Sequence, residues 1–166
     1  KVKNPNDLKV GQKLTVWVDG DLIPGYGEYD DDKGMLKHGV QMPDGRYYVV
    51  KHPNLSWGTP QTVRLIQTAI SNYRSRSRGG PKVHVGDISK RGGGKFPPHR
   101  SHQTGKDVDV GYVLKGSQAD EVRFVSANGN NLDLDRTWKL IDAFLDTDKV
   151  RYIFMEEPVA RAHLPD

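Results

Sequence analysis

Pro97-Pro98-His99-Arg100-Ser101-His102-Gln103-Thr104-Gly105-Lys106-Asp107-Val108-Asp109-Val110 begins as a loop and ends as a strand. Gly92-Gly93-Gly94 upstream and the Pro97-Pro98 pair forbid regular structure ahead of the histidines. From Asp107 the order Asp, Val, Asp, Val has the two-residue period of a strand, with both carboxylates on one face and Val108 and Val110 on the other. Were the stretch helical, His102 and Asp109 would stand two turns apart, about 10 Å along the axis, too far to share one ion. A loop folded back onto a strand removes that obstacle, and Gly105 between them supplies the backbone freedom for the reversal. Asp109 is therefore expected on a strand that faces the loop carrying His102.

Imidazoles and carboxylates are the ligands that hold Zn²⁺ while leaving a position open for water, and a catalytic zinc normally takes three protein ligands. His99, His102 and Asp109 are the candidates, with Asp107 beside them. An isolated His and Asp would read as a hydrogen-bonded pair; four such groups this close in sequence favour a metal site. Asp107 either orients a ligand histidine or caps a turn.

Working outward, Thr59-Pro60 is an N-cap followed by proline at the first helical position. Val63, Ile66, Ala69, Ile70 and Tyr73 then recur at helical spacing, as one core-facing stripe. That helix should end between Arg76 and Gly80. Val83, Val85 and Ile88 suggest a strand. Asp133 or Asp135 caps a second helix with Trp138, Ile141, Phe144 and Leu145 as its buried stripe. Val150 to Met155 reads as a strand and Pro158 to His163 as a further helix. Residues 17–56 form a β-rich segment of turns and short Val- and Tyr-rich runs, in which Leu36 to Gln41 and Arg46 to Lys51 flank Met42-Pro43-Asp44-Gly45 as a hairpin. Tyr26, Tyr29 and Tyr47 either line a sugar cleft or pack at the rim of the core. The order of elements indicates an α+β domain with a mainly antiparallel sheet flanked by helices.

The 166 residues suffice for one ordinary domain, although 18 glycines and 10 prolines assign much of it to loops. The chain lacks cysteine, which excludes thiolate metal sites, cysteine nucleophiles and disulfides together. No run of about 18 apolar residues is present to span a membrane, and no basic-then-apolar leader opens the chain. The protein is thus expected to be cytosolic or to have lost a leader. The net charge of +4 is uneven: basic residues crowd between Arg74 and Lys106, while acidic ones gather at Asp30, Asp31 and Asp32. The basic segment is either a solvated face or an attraction for an anionic polymer. No recognition helix or aromatic RNA-binding signature accompanies it, so no nucleic-acid partner is expected.

Asn4-Pro5-Asn6-Asp7-Leu8-Lys9-Val10-Gly11-Gln12-Lys13-Leu14-Thr15-Val16 resembles the closing third of a LysM glycan-binding module. Residues 1–16 are either such a remnant or a turn and strand that share the pattern. The stretch Tyr48 to Leu114 resembles the penicillin-insensitive murein endopeptidases. These are LAS-type zinc peptidases of the cell wall that share a fold with lysostaphin-type enzymes, D-Ala-D-Ala carboxypeptidases and the hedgehog signalling domain. The matching features are Trp57-Gly58 followed by Pro60 and the helix, Val85-Gly86-Asp87-Ile88-Ser89, Arg91-Gly92-Gly93, and Ser101-His102-Gln103 with Gly105, Asp107 and Asp109.

The resemblance implies that residues 57–166 are a zinc peptidase domain with His102 and Asp109 as metal ligands. It implies that His99 is a catalytic residue beside the ion, binding substrate or stabilising charge. It further implies a periplasmic or secreted enzyme that hydrolyses D-Ala-diaminopimelate cross-links of peptidoglycan. The family's third ligand is the last histidine of a His-x-His motif on a later strand, and these 166 residues contain no such motif. His163 follows Asp109 but reads as a surface position on a helix, so the third donor is expected from a further C-terminal segment or another chain. The alternative is a catalytically inactive peptidoglycan-binding or regulatory domain on the same fold.

Overall fold

The computed structural model describes residues 34–119, 121, 123–156 and 159. The LysM-like stretch, Tyr26, Tyr29, the Asp30 to Asp32 cluster and His163 lie outside the described residues, as does nearly all of the expected last helix.

Helix α1 (Pro60–Arg76) forms where its caps place it: the Thr59 hydroxyl oxygen accepts a hydrogen bond from the Thr62 backbone N–H at 3.1 Å, and Pro60 takes the first helical position. The stripe Val63, Ile66, Ala69, Ile70 and Tyr73 is buried. Arg74 and Arg76 occupy the last turn, where cations suit the helix dipole. Helix α2 (Leu134–Leu145) starts at Asp133, whose carboxylate accepts from the Arg136 backbone N–H and pairs with its guanidinium. The two helices pack on each other, and Arg76 reaches Asp146 just beyond α2. The buried stripe of α2 differs from expectation: Trp138 and Phe144 are inside, but Ile141 is only half-buried, Leu145 is exposed, and Leu140 and Ala143 are buried instead. The inward face follows Thr137, Leu140 and Phe144 at turn spacing, so Leu145 falls outside it.

Strands β1 (Val40–Gln41) and β3 (Trp57–Gly58) pair antiparallel. Strands β2 (Tyr48–Val50) and β4 (Val83–Val85) pair parallel, with Val50 opposite Val85. The expected hairpin between Leu36–Gln41 and Arg46–Lys51 does not form, because each run finds its partner elsewhere. β2 takes β4 through the crossover that α1 provides, and a parallel pair requires such a crossover. Antiparallel pairing continues on the other side of β4 as a bridge from Val85 to Val110. The fold is thus α+β, with small sheets of both senses.

Val108 and Val110 pack against the core while Asp107 and Asp109 face the other way, but the expected strand is reduced to extended chain with a single bridge at Val110. Val150 to Met155, expected as a strand, form no ladder beyond a single bridge position at Val150 among the described residues. Ile153, Phe154 and Met155 line an apolar cleft with Val108, Val110 and Leu140 instead.

Candidate metal centre

The carboxyl end of β4 and the segment around Asp109 build one wall of the site. Gly86 donates to the Asp109 carbonyl at 2.8 Å, and Asp109 donates to the Asp87 carbonyl at 2.9 Å. This pairing fixes the register of Asp109 beside Gly86. A Cβ on Gly86 would lie 2.6 Å from the Phe124 ring and 3.0 Å from the Asp109 Cβ, so only glycine permits this approach.

The loop from Phe96 to Lys106 forms the opposite wall. It includes a cis peptide at Pro97-Pro98 and a bridge between Phe96 and His99. The His99 and His102 rings stand 4.5 Å apart, and the Phe96 ring packs 5.0 Å from that of His99 and edge-on to that of His102. His102 sits at φ +61°, a left-handed conformation that a side-chain-bearing residue holds only when its surroundings over-determine it. Two bonds do so. The His102 backbone N–H donates to Asp107 Oδ2 at 2.9 Å, and its ring Nδ1 lies 3.1 Å from the Ile88 carbonyl. A carbonyl only accepts, so Nδ1 carries a proton and Nε2 is turned toward Asp109 Oδ1, 3.2 Å away.

His99 points Nδ1 toward Asp109 Oδ2 at 4.0 Å. One donor atom from each of His99, His102 and Asp109 lies within 4.8 Å of the other two. Two imidazole nitrogens and a carboxylate oxygen at that spacing fit a divalent cation, whose bonds to such atoms are about 2.0–2.2 Å long. His102 is buried, and burial alone would lower its pKa. The hydrogen bond and charge of Asp109, with smaller help from Asp107 and the Ile88 carbonyl, outweigh that and raise it. Burial lifts the Asp107 carboxyl above the usual range, against the opposing pull of the His102 N–H and ring.

The structure thus brings together all three residues singled out in the sequence. Asp107 acts on the His102 backbone rather than on a ring, nearer to the turn-capping role than to holding an imidazole. Two further groups had not been assigned a role. Asp87 Oδ2 lies 3.4 Å from His99 Nε2, and Asp87 Oδ1 lies 2.7 Å from His52 Nδ1. Asp87 falls in a stretch already matched by resemblance, and a carboxylate just past the end of a strand was the available signal. Nothing local marks His52: it reaches Asp87 because the β2–β4 register, with Val50 opposite Val85, carries on past the strand ends.

The sequence pattern of the family described as penicillin-insensitive murein endopeptidase matches residues 26–159. The chain belongs to that family. It is also 31% identical over 103 residues to the penicillin-insensitive murein endopeptidase of Haemophilus influenzae, an alignment covering 60% of this chain and 35% of that protein. The chain therefore matches about a third of its relative's length. The matched family region of this murein endopeptidase-family chain includes every residue of the centre described above. No helix among the described residues is long and apolar enough to cross a membrane.

Proposed function

We propose that this chain is the catalytic part of a zinc-dependent endopeptidase that hydrolyses peptide cross-links of peptidoglycan, of the D-alanyl-to-diaminopimelyl type, in the cell envelope. The observation that carries the reading is the convergence of His99, His102 and Asp109 donor atoms within 4.8 Å of one another in a chain of this family. His102 and Asp109 hold the ion. His99 stands beside the ion, where it binds substrate or stabilises developing charge, and the third protein donor comes from a further C-terminal segment or another chain. A bound Zn²⁺ would acidify water to roughly neutral pKa and polarise the amide carbonyl of the cross-link.

The rest of the work belongs to the chain. The Ile88 carbonyl and the Asp107 carboxylate hold His102 in its left-handed pose, leaving Nε2 as the donor. Phe96 packs against both imidazoles from one side, tilted to His99 and edge-on to His102. Lys90, Arg91, Lys95 and Arg100, on the stretch leading into the site, attract the carboxylates of an anionic cell-wall polymer.

The test is digestion of purified sacculi by the metal-loaded chain, with the soluble fragments separated and weighed, alongside zinc affinity measured by chelator competition. Uncross-linked muropeptides are expected, and His102→Ala or Asp109→Ala should abolish both zinc retention and their release. Zinc binding with unchanged muropeptides would instead favour a peptidoglycan-binding or regulatory domain. A chain that takes up no zinc would end the metallopeptidase reading.

A further inference from the structure

Lys51, Phe124, Gly86 and Gly111 form a second assembly at the edge of the metal centre, and the ion-binding reading does not use it. The Lys51 N–H donates to the Val85 carbonyl at 2.9 Å, which continues β2 beside β4. On the other side of β4, Gly86 donates to the Asp109 carbonyl and Gly111 to the His84 carbonyl. Cβ atoms on Gly86 and Gly111 would lie 2.6 Å and 3.0 Å from the Phe124 ring, so the ring fills a trough left open by the missing side chains. The Cβ position of Gly86 is also 3.0 Å from the Asp109 Cβ, which puts one end of the trough beside a residue of the metal centre. At the other end is the Lys51 amine, 3.7 Å from the centre of the ring.

That amine is buried and has no hydrogen-bond partner among the described residues. Burial pushes its pKa down to about 8, yet it keeps its charge at neutral pH. Glu121 acts on it only through space, and the Glu121 carboxylate pairs with Arg123 at 3.7 Å. An aromatic face attracts an ammonium but satisfies none of its N–H donors as an oxygen would. Buried polar groups are nearly always paired, so an orphan cation at the edge of a reactive centre calls for an anion from outside the chain. The ring that covers it is free to yield. Phe124 is 44% exposed, and among the described residues no backbone–backbone hydrogen bond ties the stretch from Arg123 to Ala127.

We propose that Lys51 is the counter-charge for a substrate carboxylate: the peptide enters the glycine trough in place of the Phe124 ring, sets a carboxylate on the Lys51 ammonium and lays the neighbouring amide beside Asp109. The proposal rests on the peptidase reading above and names the anion that fits it. In a D-alanyl-to-diaminopimelyl cross-link, the carbon that bears the amide nitrogen also bears a free carboxylate. Charge and scissile bond therefore share one short stretch of substrate, as a trough with a cation at one end and Asp109 at the other requires. In the empty protein the Phe124 ring face holds the cation, and the carboxylate replaces it with direct hydrogen bonds.

The test uses two soluble probes. One is a stem tripeptide ending in diaminopimelate, its distal amine acetylated to mimic the cross-link amide; the other carries a carboxamide in place of the carboxylate next to that amide. Binding is followed at neutral pH by calorimetry and by NMR of ¹³C-labelled lysine, with and without Zn²⁺, so that a carboxylate merely ligating the ion is told apart. The carboxylate peptide should shift the Lys51 signals in the metal-free chain and bind about 10–100-fold more tightly than the carboxamide, the range of one charge-assisted hydrogen bond. Lys51→Met should abolish that preference, with thermal melts confirming that it folds. Phe124→Ala should tighten binding of the carboxylate peptide, because no ring has to be displaced. Equal affinity for the two peptides, or a preference that survives in Lys51→Met, overturns the proposal. So does weaker binding by a folded Phe124→Ala chain; if that variant does not fold, Lys51→Met decides. If the wild type takes up no zinc, the metallopeptidase reading fails while the metal-free comparison still judges Lys51.

Discussion

The Lys51 amine lies 3.7 Å from the centre of the Phe124 ring, buried and without a hydrogen-bond partner among the described residues. Burial pushes its pKa down to about 8, with the Glu121 charge pulling the other way. The unfolded chain keeps that proton up to the ordinary value of 10.5, so between about pH 8 and 10.5 it binds a proton that the folded chain has released. Stability contributed by this group therefore rises with pH across that window, and its full cost is borne below pH 8. Lys51→Met, of similar length and uncharged, should raise the melting temperature at neutral pH and flatten the rise; thermal melts across the window check both. An unchanged melting temperature would mean that the contact with the Phe124 ring already offsets the burial. The residues of the centre divide along the same line of what is local. His99, His102 and Asp109 were legible because their chemistry is close in sequence, whereas His52 and Asp87 are 35 positions apart and meet only through strand pairing.

The loop that carries His102 is anchored to helix α1 rather than hanging free. Thr59, the helix cap, donates its backbone N–H to the Gly105 carbonyl at 3.0 Å. Gly105 adopts φ +70°, and a Cβ there would come within 2.9 Å of the Leu36 side chain and 3.0 Å of the Gly58 Cα. Gly105→Ala should therefore destabilise the fold by more than about 1 kcal/mol and weaken zinc retention as well, read from urea midpoints and chelator competition on the same preparation. Loss of stability without any change in zinc affinity would show that the loop holds its shape independently of this turn. Helix α1 was readable to its caps because proline, a capping hydroxyl and a long stripe act locally. The hairpin was misread because Pro43-Asp44-Gly45 specifies a turn but not which strand pairs after it. Two-residue runs such as Val40–Gln41 carry no periodicity with which to choose a partner.

The core is where the β2–β4 pair and both helices meet: Ile66, Ile70, Tyr73, Val83, Val85 and Ile88 are almost wholly buried. Ile66→Ala should cost about 2–5 kcal/mol in urea unfolding and leave zinc affinity of the folded protein unaltered, since Ile66 touches none of the donor groups by hydrogen bond or ion pair. A parallel fall in zinc affinity would mean that the centre depends on core packing directly. Composition, the run from Pro97 to Asp109 and the capped helix sufficed for an α+β chain with a His-His-Asp centre, because each signal is contained within a turn, a strand or a few helical turns. The parallel pairing of β2 with β4, the buried face of α2 and the meeting of His52 with Asp87 had to await the folded chain. They depend on contacts between segments far apart in sequence, chosen by how all the apolar faces can be buried together.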